Sequence, residues 1–75
     1  MPFIHVRAWP GREDAVKRNM AKSIVKAASE ASAIPEAAFT VVYEDVEQDV
    51  WDKEVQQAII EPLRDKILIE RGKPV

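Results

Sequence analysis

The sequence predicts a small α/β (α+β) chain built on one βαβ unit, and three observations carry that prediction. Residues 3–9 alternate with a period of two, residues 38–45 do the same, and an apolar stripe at helical period lies between them. Two strands separated by about twenty helical residues pair in parallel, with a right-handed crossover.

In the first strand, Ile4, Val6 and Ala8 share one face while Phe3, His5, Arg7 and Trp9 share the other. The first face is simply apolar. The second mixes aromatic and charged groups, which suits packing on another subunit; His5 reads as a packed strand residue. Pro10-Gly11 ends the strand with a turn signal. The helix is expected over 14–33, with Val16, Met20, Ile24, Ala27, Ala28 and Ala31 as its apolar stripe. Glu13 and Asp14 suit the positive end of its dipole. Arg18, Lys22 and Lys26 recur every four residues and read as a solvated face. Ser32 to Pro35 closes the helix, because the residue before a proline is driven out of helical geometry.

The second strand sets Phe39, Val41 and Tyr43 on one face and Thr40, Val42 and Glu44 on the other. The acidic stretch from Glu44 to Asp49 has neither the spacing nor the glycine of an EF-hand loop, so no metal is expected there. Trp51 follows and needs a packing partner or a pocket wall to line. A helical segment is expected over 52–70, with Asp52 as its N-cap and Val55, Ile59, Leu63 and Ile67 as its apolar row. Pro62 predicts either a kink near 58–62 or a short helix followed by a new one. Gly72 to Val75 reads as a mobile tail. No repeat or linker divides residues 1–75, which read as one domain.

Composition narrows the function. A chain of 75 residues buries only about 60–65 % of its unfolded surface and is marginal alone. It has no cysteine and one histidine, so disulfides and thiolate or structural zinc sites do not supply the missing stability. One helix on two strands does not close a core either, and association with further copies is the expected remedy. A net charge of −2 argues against a nucleic-acid partner. No apolar run reaches membrane-spanning length, and no signal-peptide pattern opens the chain. The expected location is the cytoplasm.

Pro2 is the residue with unusual chemistry. With Met1 attached its nitrogen is a tertiary amide and has no basic lone pair. With Met1 removed it is a secondary amine at the start of a strand. A free α-amine titrates at about 7.7–8.0, and apolar surroundings or nearby cations lower that value toward neutrality. Such a group is suited to general-base work. The plainer reading is that proline merely follows the initiator well. Small second residues such as proline permit methionine removal.

Pro2, the strand ending at Trp9, Gly11-Arg12, Ile34-Pro35 and Trp51 together resemble the 4-oxalocrotonate tautomerase family, over residues 2 to about 55. The tail, with Trp51-Asp52, Glu61-Pro62 and Gly72, is similar to short bacterial members with an extended C-terminus. The resemblance implies two subunits forming a four-stranded sheet backed by helices, as a homo-oligomeric dimer or hexamer; the extension favours the dimer. It implies cofactor-free enol–keto chemistry on a 2-oxo acid or 2-hydroxydienoate, with Pro2 as base. By the same resemblance Arg12 matches the arginine that binds the substrate carboxylate, and its guanidinium fork suits that task. Trp51 matches the aromatic that keeps the pocket apolar, and Trp9 is expected to line the same wall.

Thr40 departs from the family pattern, which has a second arginine at that position. Threonine is a weak neutral donor, and loss of one donor to a developing oxyanion typically costs about 10²–10³ in rate. A monocarboxylate enol such as that of phenylpyruvate is therefore the better expectation than a dicarboxylate such as 2-hydroxymuconate. Arg7 is on the right strand to substitute. Two alternatives remain alongside this reading. One is a non-catalytic small-molecule-binding oligomer of the same fold. The other is a hydratase or dehalogenase-like enzyme, in which Pro2 is an acid and Asp52 or Glu54 activates water.

Overall fold

The computed structural model describes residues 1–75. The βαβ unit is present: β1 (Phe3–Ala8), α1 (Asp14–Ser32) and β2 (Thr40–Asp45), each strand within two residues of its expected bounds. The strands pair in parallel, from Phe3 opposite Thr40 to Ala8 opposite Asp45. The bonding continues past both ends, with Thr40 N–H donating to the Pro2 carbonyl at 3.1 Å and Val46 N–H to the Ala8 carbonyl at 2.8 Å. Neither strand has a second neighbour, so the outer edge of each is unpaired.

Partners in a parallel ladder point to the same side. Ile4, Val6, Val41 and Tyr43 therefore share the face on which α1 packs. The contact stripe of α1 is rotated from the expected one. Lys17, Ala21, Ile24, Val25 and Ala28 are half-buried, whereas Val16 and Met20 stand exposed at 42 % and 37 %. Lys17 explains the rotation. Its stem lies over the sheet, its Nζ is 5.6 Å from the centre of the Tyr43 ring, and it donates to Asp45 Oδ2 at 2.8 Å. That hydrogen bond also raises the Lys17 pKa above the ordinary lysine value. Arg18, Lys22 and Lys26 are exposed, as their spacing predicts.

Four bonds tie the end of α1, one of them from Ser32 Oγ–H to the Ala28 carbonyl at 2.7 Å. Ala33 N–H donates to the Ser29 carbonyl at 2.9 Å, Ser29 Oγ–H to the Ile34 carbonyl at 2.6 Å, and Ile34 N–H to Ser32 Oγ at 3.1 Å. Ala33 itself is left-handed, with φ 62°. An alanine methyl is unfavourable there, and glycine is the usual residue. Ala33→Gly is expected to stabilise the fold by about 1 kcal/mol, read as an upward shift of the denaturant midpoint at constant slope. A tight 3₁₀ turn, Glu36–Ala38, then delays β2 to Thr40.

The C-terminal region differs most from expectation. The helical run starts four residues early, as α2 (Gln48–Trp51), with Glu47 rather than Asp52 at its N-cap position. It widens into a π-helical segment, Asp52–Ile60, and tightens into a 3₁₀ segment, Glu61–Lys66, that carries Pro62 in its first turn. Proline has no N–H to donate, so the helix changes its winding at the point where a bond must be missing. The side chains follow the wider winding. Gln57 Nε2 donates to Asp52 and Gln56 Nε2 to Glu61 Oε1, both across five residues, the spacing that π turns stack. Glu61 also accepts from Arg64, and this is the larger cause holding its pKa below the ordinary glutamate value.

Beyond Ile67 the chain is neither helix nor loose tail. Ile69–Glu70 and Lys73–Pro74 form an antiparallel hairpin, β3 and β4. Its two-residue turn is Arg71-Gly72, with φ 52° and 80°, both positive as a type I′ turn requires. Arg64 clips the hairpin to the preceding segment by donating to Glu70 Oε2 at 2.6 Å. No helix of the chain is long and apolar enough to cross a membrane.

Only Val46 and Val55 are buried, at 7 % and 5 % exposure. The sheet and its two covers thus meet without enclosing a sizeable core.

Candidate functional site

β1 carries the candidate residues, and it separates them. Pro2 lies at its start, half-buried, with its carbonyl held by Thr40 N–H. Thr40 and Phe3 are neighbours in the ladder, so these three residues form one end of the sheet. Trp9 and Arg12 lie beyond the other end. Gly11, with φ 122°, lets the chain turn out of the strand toward Arg12, which is exposed. Six strand residues at about 3.3 Å each put roughly 20 Å between the two ends. Within one chain, Pro2 and Arg12 do not share a site.

The two tryptophans stand at the far end. Trp9 and Trp51 meet edge to face, with ring centres 6.4 Å apart and planes at 87°. Trp51 reaches Trp9 because α2 starts directly after β2, at the same end of the sheet. From there the helical segment runs over the face opposite α1. Trp51, Val55, Ile59 and Ile60 cover His5 and Arg7, leaving a cavity of about 310 Å³.

The floor of that cavity is polar. Glu44 sits beside Arg7 in the ladder. Its Oε1 is 2.7 Å from His5 Nε2 and 3.4 Å from Arg7 Nε. Periodicity alone gives Glu44 no chemical role and makes His5 foremost a packed strand residue. The signal was available in the alternation, since His5, Arg7 and Glu44 are all on one face once the parallel register is known. The register itself depends on contacts 39 residues apart.

Asp52 accepts a hydrogen bond from Gln57, and Glu54 is exposed on the helical segment. Asp45, adjacent to Glu44, points to the other side of the sheet and pairs with Lys17.

Comparison with known proteins adds one match. A family model described as a tautomerase enzyme matches residues 2–60, which takes in β1, α1, β2, α2 and the π-helical segment. No curated protein matches the chain.

Proposed function

Because the chain belongs to the tautomerase enzyme family, we propose that it is a cofactor-independent isomerase converting the enol of a 2-oxo acid into its keto form. The base is the Pro2 amine, freed by removal of Met1. The nitrogen accepts the enol hydroxyl proton, the C–O bond becomes a carbonyl, and the electrons of the C=C bond take a proton at the neighbouring carbon from the prolinium. Nothing is oxidised or reduced, and Pro2 ends as it began.

The observation that carries this reading is the distribution of residues along β1. One end offers a potential base, and the other offers an aromatic pair and a free arginine. The outer edge of β1 is unpaired. Two copies joined antiparallel along that edge about a two-fold axis bring Pro2 of one protomer to Trp9, Trp51 and Arg12 of its partner. The union also makes one four-stranded sheet. Both copies of α1 fall on the same face only when opposed residue numbers sum to an even number, because opposed residues share a face. His5 is then opposed by a residue of the same face, such as His5 or Arg7, of the other copy. In this dimer Arg12 takes the substrate carboxylate and the tryptophans keep water and charge away from the Pro2 nitrogen.

Thr40 lies next to Phe3 at the Pro2 end and offers one hydroxyl where a cation would hold a second carboxylate. An arylpyruvate enol, with one carboxylate and an apolar body, suits such a site better than 2-hydroxymuconate. The test compares two forms of the protein, one lacking Met1 and one retaining it, with the enol of phenylpyruvate as substrate. Turnover by the shortened form alone is the expected result. Equal rates, or none in either form, overturn the proposal.

A further inference from the structure

Arg7 is the one arginine that lines the cavity beneath the helical segment, and it is left with most of its donors unused. Its only ion pair is to Glu44, approached through Nε at 3.4 Å, and its guanidinium donates no hydrogen bond to another side chain. The contrast is Arg64, whose two terminal nitrogens are both engaged, with Glu61 and Glu70 at 2.8 and 2.6 Å. A guanidinium carries five N–H donors in a planar fork. Glu44 stands beside the Nε edge of this one, which leaves the two terminal nitrogens to grip a carboxylate bidentately. Glu44 is in turn held by His5 Nε2 at 2.7 Å, so the base of the fork is anchored from two strands. The walls are apolar: Trp51, Val55, Ile59 and Ile60. A volume of about 310 Å³ accommodates a ligand of one ring and a short acid arm.

We propose that this cavity is a carboxylate-binding site in which Arg7 grips the anion and Trp51 and Ile59 receive the apolar body of a monoanionic aromatic acid. Arg7 and Arg12 belong to the same end of the same chain, so both act on a substrate whose proton is moved by Pro2 of the partner. Its part in turnover rests on the tautomerase reading; the binding of the anion does not.

Titration calorimetry with benzoate, which has no enol to convert, tests the site independently of catalysis. Benzamide, its neutral counterpart, serves as the comparison on the unaltered protein. Benzoate is expected to bind more tightly than benzamide by roughly 10- to 100-fold, the usual range for hydrogen bonds to a charged group. Arg7→Met is expected to lose that difference, and Arg7→Lys to keep part of it, since lysine retains the charge without the fork. Arg18→Met, on the opposite side of the sheet, is expected to bind benzoate as the unaltered protein does. Equal affinity for benzoate and benzamide in the unaltered protein overturns the proposal even if the Arg7 variants fail to fold. Loss of benzoate binding in Arg18→Met but not in Arg7→Met overturns it as well. Tight, Arg7-dependent benzoate binding in a protein without enol turnover leaves this site standing and removes the tautomerase reading instead.

Discussion

Replacing Pro2 by alanine is expected to lower the rate of enol ketonisation by about 10²–10⁴-fold, the usual contribution of a positioned general base. Alanine still leaves a terminal amine once Met1 is gone, so the variant tests position more than basicity. The proline ring fixes the direction of its lone pair, whereas a primary amine on alanine rotates freely and is more strongly hydrated. Retention of Met1 is the more severe change, because it converts the nitrogen to an amide and removes the base altogether. The rate for that form is expected to fall to the uncatalysed background. A second readout is the pH profile of kcat/KM. For a base, the rate rises as the amine loses its proton and then levels. The apolar pair Trp9 and Trp51 of the facing protomer is expected to shift that rise below the ordinary α-amine range, because burial disfavours the charged form. Trp51→Ala is expected to move the rise upward again. A profile that falls with rising pH marks Pro2 as an acid and favours the hydratase alternative. Unchanged rates in both Pro2 forms leave no catalytic role for this residue.

Thermal unfolding is expected to depend on protein concentration, with the midpoint rising by about 5–10 °C for each hundredfold increase. That figure follows from the mass-action gain of association and the unfolding entropy of a unit of about 150 residues. The reason is the poverty of the single chain. Its buried core is Val46 and Val55, while Phe3 stands 62 % exposed and Leu68 79 % exposed. Val16 and Met20 on α1 are exposed as well. A hairpin of two-residue strands also does not hold its shape by itself in water. These exposed groups and the free edge of β1 are what a second copy would cover. Analytical ultracentrifugation over the same range is the companion measurement. A monomeric mass with a concentration-independent midpoint refutes the association, and with it the joining of Pro2 to the partner's Arg12.

How much of this was legible in the sequence differs sharply along the chain. Strand periodicity and helical spacing act over neighbouring residues, so β1, α1 and β2 could be located to within two residues from those patterns alone. The chemical singularity of Pro2 and the four-residue repeat of exposed basic residues were equally local. The rotation of α1 was not, because a lysine scores as polar until its stem has an aromatic ring to lie on and its ammonium a carboxylate to reach; Tyr43 and Asp45 supplied both.

The C-terminal region shows the same limit. Pro62 announced an interruption, but not that the turns before it would widen or that Asp52 would lie within the helical run. Arg71-Gly72 is a hairpin turn only because both residues take positive φ, and arginine gives little local sign of doing so. The largest decision made by tertiary structure concerns the site. The sequence by itself singled out Pro2 as the candidate base, and its family resemblance added Arg12, Trp9 and Trp51 as candidates. The parallel pairing of β1 with β2 decided where they stand, sending Pro2 to one end and the tryptophans and Arg12 to the other. It also set Glu44 against His5 and Arg7, a contact between strands 39 residues apart. Periodicity assigns a residue to a face of its own strand, but only register assigns it a neighbour, and register is fixed by the packing of the whole sheet.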